Sequence, residues 1–403
     1  MQYSAVRIMG GEANQGGDIV RENPLKQLEA CGQSIWLDYI RRDLISSGQL
    51  QHMIQEDGVR GMTSNPSIFE KSIAESRDYD EDIHAMLHQG KDAMEVYEWL
   101  SKRDVQSAAY EFWSLYGATG GKDGYVSLEV NPHLARDTKG TIEEARRLWE
   151  TLNRPNVFIK VPATSEGLPA IQQLISEGIN VNVTLLFGLP RYREVADAFI
   201  AGLESRDAAG KPVDHIASVA SFFVSRIDSM VDPLLEKSST RDGPQAEAAK
   251  KTRGEVAVAS AKLAYQIYKE KFTGDRFKKL SEKGAFPQRL LWASTGTKNP
   301  DYSDIKYVES LIGPETVNTL PVETLEAYRD HGNPQSRIEQ NSIEAKALLA
   351  RLPGLGIDID TITQQLEDEG VQKFTKAFDG LMYRLKEKQN ELLSKPKLER
   401  AGG

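Results

Sequence analysis

Eight short apolar, β-branched-rich runs recur between residues 34 and 321, separated by stretches in which polar and apolar positions alternate at helical spacing. They are SIWLDYI (34–40), VRGMTSN (59–65), GYVSLEV (124–130), NVFIKVPA (156–163), INVNVTLLF (179–187), HIASVASFF (215–223), RLLWAST (289–295) and ETVNTLP (315–321). Strands alternating with helices imply parallel pairing, and eight such units predict a single (β/α)₈ TIM barrel with a helical C-terminal extension; an open doubly wound sheet is the alternative. The near-continuous hydrophobicity of the runs fits strands covered on both faces.

The connections differ in length. Pro66 to Asp123 is long enough for two or three helices, whereas residues 166–178 hold a single crossover helix. Residues 240–284 read as an exposed segment followed by one long helix on the barrel exterior. From His331 onward the pattern is helical, with Asp360 a candidate N-cap and Gly370 a break. The expected organisation is a lead-in over 1–33, a catalytic barrel over 34–330 and a helical extension over 331–403 packed on the barrel.

Composition narrows the function. With 403 residues, 39% hydrophobic, the chain can bury a large core, and no stretch approaches the ~20 apolar residues a membrane span requires. The first 20 residues lack the basic and apolar regions of a secretory signal, so a cytoplasmic protein is expected. Cys31 is the single cysteine, which excludes an intrachain disulfide and a thiolate zinc cluster. A net charge of −9 repels polyanions and argues against a nucleic-acid partner, while a local basic cluster can still hold a small anion.

In a parallel barrel the chemistry gathers at the carboxyl ends of the strands, so the polar residues that interrupt or end the runs are the candidates: Asp38, Asn65, Glu129, Lys160, Asn182, Thr184, Ser221 and Ser294. Lys160 carries the most weight. It lies in VFIKVPA with no acid in the run, so desolvation favours the neutral amine. Lowering a lysine from ~10.4 to ~7 costs roughly 4 to 5 kcal/mol, which a protein seldom bears without use. A neutral amine attacks a carbonyl to give a Schiff base, and the iminium is an electron sink for breaking a carbon–carbon bond. The alternative is a packed lysine stem whose head reaches into a loop. Asp38 and Glu129 are carboxylates in apolar strands, where burial raises their pKa into the range useful for proton transfer.

Two segments suit an anion. Ser294, Gly296 and Lys298 in STGTKNP can offer a hydroxyl, an N–H and an ammonium, and Arg226 follows the sixth run. Either alone is an ordinary surface cation. GATGGKD (117–123) is one residue short of a phosphate-binding loop, ends in Asp123 and precedes a strand, so it is set aside. His84 and His88 have helical spacing but lack the glutamate and third ligand of a zinc site, so no metal is expected.

Beyond these residues, the chain resembles the transaldolase family, class I aldolase-like transferases of the pentose phosphate pathway. The matching segments include IWLDYIRRDLISSG, GVRGMTSNPSIFEKSI, VSLEVNPHLARDT, VFIKVPATSEGLPAIQQL, GINVNVTLLFGLPRY, ASVASFFVSRIDSMVD and LLWASTGTKNP, in the family's order over about residues 34–321. It is most similar to the longer form of cyanobacteria and actinobacteria, including the helical C-terminal region. The resemblance implies Lys160 as the Schiff-base residue, Asp38 as the proton carrier at the sugar's C4 hydroxyl, and Glu129 as a proton carrier acting through a water that Thr184 orients. It implies that Asn65 and Asn182 hold substrate hydroxyls or the enamine, that Ser221 and Phe223 line the pocket, and that Arg226, Ser294 and Lys298 hold the phosphate. Shorter members carry an arginine soon after the Ser294 position, where this chain offers Thr295, Gly296, Thr297 and Lys298. The implied reaction moves a dihydroxyacetone unit between sedoheptulose 7-phosphate or fructose 6-phosphate and glyceraldehyde 3-phosphate or erythrose 4-phosphate. No cofactor is implied, and a homodimer is a candidate assembly. The rivals are a Schiff-base aldolase releasing free dihydroxyacetone and a non-catalytic barrel that binds sugar phosphates or a partner protein.

Overall fold

The computed structural model describes residues 22–239 and 243–394. Residues 1–21 of the lead-in, 240–242 of the exposed segment and 395–403 of the extension lie outside the described residues. Eight strands close into a parallel barrel in sequence order: β1 (Gln33–Asp38), β2 (Val59–Thr63), β3 (Tyr125–Glu129), β4 (Val157–Pro162), β5 (Val181–Leu186), β6 (Ser218–Phe223), β7 (Arg289–Ala293) and β8 (Thr316–Leu320). Each lies within its predicted run except β1, which starts one residue earlier, at Gln33. Strands β3 to β8 are buried at every position, which is why alternation is weak: barrel interior and helical coat each cover one face.

The coat begins with α1 (Pro24–Ala30), α2 (Arg42–Ser46) and α3 (Gln49–Glu56). Between β2 and β3 there are four helices, not two or three: α4 (Pro66–Glu75), α5 (Asp80–His88), α6 (Ala93–Glu111) and α7 (Trp113–Ala118). The single crossover before β5 is α9 (Gly167–Glu177), preceded by α8 (Thr138–Leu152) and followed by α10 (Leu189–Ala208). After β6 come α11 (Ser225–Ser239), α12 (Pro244–Thr252), α13 (Val256–Thr273) and α14 (Asp275–Ser281), so the expected long helix is three. Gly254, at φ +76°, lies in the break between α12 and α13. Helices α15 (Lys306–Glu309), α16 (Val322–His331), α17 (Ser342–Arg351) and α18 (Ile359–Ser394) complete the chain.

Two details of α18 differ from expectation. Asp358, not Asp360, caps it, accepting from the Asp360 and Thr361 amides at 3.1 and 3.3 Å. Gly370 does not break it. Its lack of a side chain lets the helix press onto β5, since a Cβ there would stand 3.0 Å from Leu185 Cδ2. Leu185 holds φ +56°, a left-handed conformation costly for a bulky residue, directly after Thr184. The helix also packs on α4, α6 and α11 and thus lies across the barrel mouth.

The opposite end is closed by charge. Asp123 is buried between Arg289 and Arg60, each at 2.9 Å, and accepts from Ser34 Oγ at 2.9 Å. Burial alone would raise its pKa; the two guanidinium groups overcome this and hold the carboxyl below its usual range. The glycine-rich segment before β3 therefore serves a structural role, delivering Asp123 to the barrel floor.

Candidate active site

Parallel strands in register place side chains of neighbouring strands side by side, and that register builds the site. Glu129 pairs with Lys160 across β3 and β4, Lys160 with Asn182 across β4 and β5, and Asp38 with Thr63 across β1 and β2. Lys160 is buried at 4% exposure; its Nζ lies 3.0 Å from the Ser64 carbonyl oxygen and 3.5 Å from Glu129 Oε2. An apolar run without an acid was the basis for expecting unopposed desolvation. The neighbouring strand supplies the missing acid, so the amine faces a carboxyl partner as well as an apolar wall. The Ser64 carbonyl accepts from the amine, and the Glu129 carboxyl stands beside it at ion-pair distance.

Burial pushes the Glu129 carboxyl up to about 7, against the pull of Lys160 and with a small push from Asp38. Both Glu129 oxygens and Thr184 Oγ1 are buried without a hydrogen-bond partner among the described residues. Glu129 comes from β3 and Thr184 from β5, the strands on either side of the one that carries Lys160.

Asp38 is half-buried, and its carboxyl is raised, first by burial; the Thr63 hydrogen bond and the charges of Lys160, Lys298 and Arg226 pull the other way. Thr63 Oγ1 donates to Asp38 Oδ1 at 2.6 Å and lies 2.7 Å from Thr319 Oγ1. With the Thr63 proton committed to an ionised Asp38, Thr319 must donate to Thr63, and the pair fixes the carboxylate with Oδ2 left for a ligand.

Asn182 is fully buried and held at both ends: Ser221 Oγ donates to its Oδ1 at 2.7 Å and its Nδ2 donates to Ser127 Oγ at 3.1 Å. Asn65 caps α4, its Oδ1 accepting from the Ile68 amide at 3.0 Å, so its Nδ2 is the group turned to other uses. Arg226 opens the first turn of α11, 5.7 Å from the Phe223 ring centroid, and burial lowers its pKa. Ser294 holds φ +54°, and its hydroxyl lies 3.1 Å from that of Ser225. Lys298 is exposed, and neither it nor Arg226 forms an ion pair with a described residue.

A cavity of about 180 Å³ brings together Asp38, Asn65, Lys160, Thr184, Ser221, Phe223, Arg226, Ser294 and Lys298. Glu129 and Asn182 stand behind its wall, joined to it through Lys160 and Ser221. A wider cavity of about 1060 Å³ beside α1, α3 and α16 contains none of the candidates. His84 and His88 are exposed on α5.

Sequence reasoning missed four contributors. Thr63 and Thr319 read as ordinary strand threonines, and Ser64 acts through a carbonyl that any residue supplies. Phe374, of α18, lines the cavity from a helix that follows the last strand by almost 40 residues. No local signal marks it.

An amine kept from water, with a carboxyl on the adjacent strand able to take its proton, fits the class of barrel enzymes that work through a lysine Schiff base. The family model described as Transaldolase/Fructose-6-phosphate aldolase matches residues 35–385, and the chain belongs to that family of enzymes. It is 49% identical over 374 residues to a transaldolase of Trichodesmium erythraeum (92% of this chain, 98% of the relative). A transaldolase of Thiobacillus denitrificans is 48% identical over 360 residues (89% and 99%), and one of Saccharopolyspora erythraea 45% over 368 residues (91% and 98%). No helix among the described residues is long and apolar enough to cross a membrane.

Proposed function

We propose that this protein is a transaldolase of the pentose phosphate pathway, moving a dihydroxyacetone unit from sedoheptulose 7-phosphate or fructose 6-phosphate to glyceraldehyde 3-phosphate or erythrose 4-phosphate. The observation that carries the reading is the buried Lys160 amine 3.5 Å from a carboxyl poised near neutral pH. Lys160 attacks the C2 ketone; Glu129, with a water held by Thr184, moves protons as water is lost and the iminium forms. Asp38 takes the C4 hydroxyl proton, the C3–C4 bond breaks, and its electrons pass into the iminium to give an enamine. The aldose leaves, an acceptor aldehyde binds, and the steps reverse in ping-pong order. Asn65, Asn182, Ser221 and Phe223 shape the sugar pocket, and Arg226, Ser294 and Lys298 receive the phosphate.

The lysine supplies the electron sink, so this route uses no cofactor or metal. The division into a lead-in (1–33), a catalytic barrel (34–330) and a helical extension (331–403), a homodimeric assembly and a cytoplasmic location without nucleic-acid partners complete the proposal. Incubation with fructose 6-phosphate, with and without erythrose 4-phosphate, is the test. Sedoheptulose 7-phosphate forming only with acceptor supports transfer; dihydroxyacetone released at a comparable rate without acceptor refutes it in favour of an aldolase.

A further inference from the structure

Strand β1 lies between β8 and β2, so Thr319 of β8 and Thr63 of β2 are not neighbours in the sheet, yet their hydroxyl oxygens meet at 2.7 Å beside Asp38 of β1. Side chains of alternate strands share a layer of a barrel interior, which lets the contact pass across β1. Both threonines are buried, and both line the cavity that holds Asp38 and Lys160. The Thr319 backbone is fixed from the loop after β7: the buried Thr295, between Ser294 and Gly296, shares its hydroxyl proton between Asn318 Oδ1 at 3.0 Å and the Thr319 carbonyl at 3.3 Å. A hydroxyl donates one proton, so with Asp38 ionised the chain has a direction. Thr63 donates to Asp38 Oδ1 at 2.6 Å, and its oxygen then accepts from Thr319. Each bond in such a chain polarises the next, so donation by Thr319 strengthens the hold of Thr63 on the carboxylate.

We propose that Thr319 is a positioning residue for the carbon–carbon step: through Thr63 it holds one oxygen of the Asp38 carboxylate so that the other meets the C4 hydroxyl. This rests on the transaldolase reading. In that step Asp38 Oδ2 takes the hydroxyl proton, the O–H electrons form the C4 carbonyl, and the C3–C4 electrons pass into the iminium to give the enamine; both threonines keep their protons. Imine formation lies with Lys160 and Glu129, on β4 and β3. Removing the Thr319 hydroxyl should therefore slow bond cleavage and leave imine formation alone, whereas a residue needed only for packing would affect both steps or neither.

Rapid-quench borohydride reduction with fructose 6-phosphate and no acceptor separates the two steps. Mass analysis distinguishes a six-carbon phosphorylated adduct on Lys160, trapped before cleavage, from the three-carbon adduct trapped after it. Thr319→Val keeps the β-branched shape and removes the hydroxyl. The expected result is total adduct forming at the unaltered rate while the three-carbon adduct appears roughly tenfold more slowly, the effect of one hydrogen bond. Thr319→Ser returns the hydroxyl and should restore most of the rate. In a Thr63→Val background the loss of the Thr319 hydroxyl should add less than about twofold, since it acts through Thr63. Thr319→Ala removes the same hydroxyl without placing a methyl group in its stead, so the comparison holds if the valine variant does not fold. Both adducts slowed together, no change in either, a serine variant as slow as the valine one, or a full further loss in the Thr63→Val background overturns the proposal. Absence of any trapped adduct in the unaltered protein overturns the transaldolase reading instead.

Discussion

Replacing Glu129 by Gln keeps the shape of the side chain and removes its capacity to take a proton. Its carboxyl ordinarily titrates at 4.5, and burial brings it to about 7, which makes the carboxylate less favourable by roughly 3 kcal/mol. The base is the ionised form. In the unaltered protein kcat/KM for fructose 6-phosphate should therefore fall as pH drops below about 7, and at pH ~5 it should be roughly 100-fold below its plateau, since only about one carboxyl in a hundred remains ionised. A carboxyl left at 4.5 would still be about three-quarters ionised there. Asp38 is raised as well, so the assignment depends on the variant. Glu129→Gln should have a plateau lower by about 10² to 10⁴ and should lose the limb near 7. Initial rates with saturating erythrose 4-phosphate, from pH ~5 to ~9, provide the assay. The same carboxyl affects stability: its folded value lies above its unfolded one, so its contribution is full below about 4.5 and is lost as pH rises through 7, by roughly 3 kcal/mol. A flat wild-type profile down to pH ~5, or a variant that keeps the limb, would refute the assignment.

Two further substitutions separate the barrel floor from its mouth. Asp123→Asn leaves Arg289 buried without its anion and should cost about 3 to 5 kcal/mol in urea unfolding; a loss below about 1 kcal/mol would show that the floor network is dispensable. Arg226→Leu should lower kcat/KM for a phosphorylated donor by roughly tenfold or more, and Lys298→Met by less because that side chain is exposed. Unphosphorylated fructose should be unaffected by either change, and an equal loss on both donors would place these cations outside phosphate binding.

The strands were legible because both of their faces are covered, which writes itself as short apolar runs. Helix number was less so. Phe112 ends α6 and opens the way to α7 without a glycine or proline to mark the boundary. Gly370 misled in the other direction: it is there for the close approach of α18 to Leu185, a contact between residues far apart in sequence. Within the site, Lys160, Asp38 and Glu129 stood out because charge is rare in a buried strand. What sequence could not convey was pairing. The acid facing Lys160 comes from β3, the orientation of Asp38 from Thr63 and Thr319, and the cover from Phe374, each a product of barrel closure or of the long return of the C-terminal helix.

The most direct measurement is peptide mass analysis after borohydride reduction of the protein with fructose 6-phosphate. A reduced dihydroxyacetone unit on Lys160 alone is the expected result. An unlabelled protein, or label on surface lysines with Lys160 left intact, would contradict the chemistry assigned to this barrel.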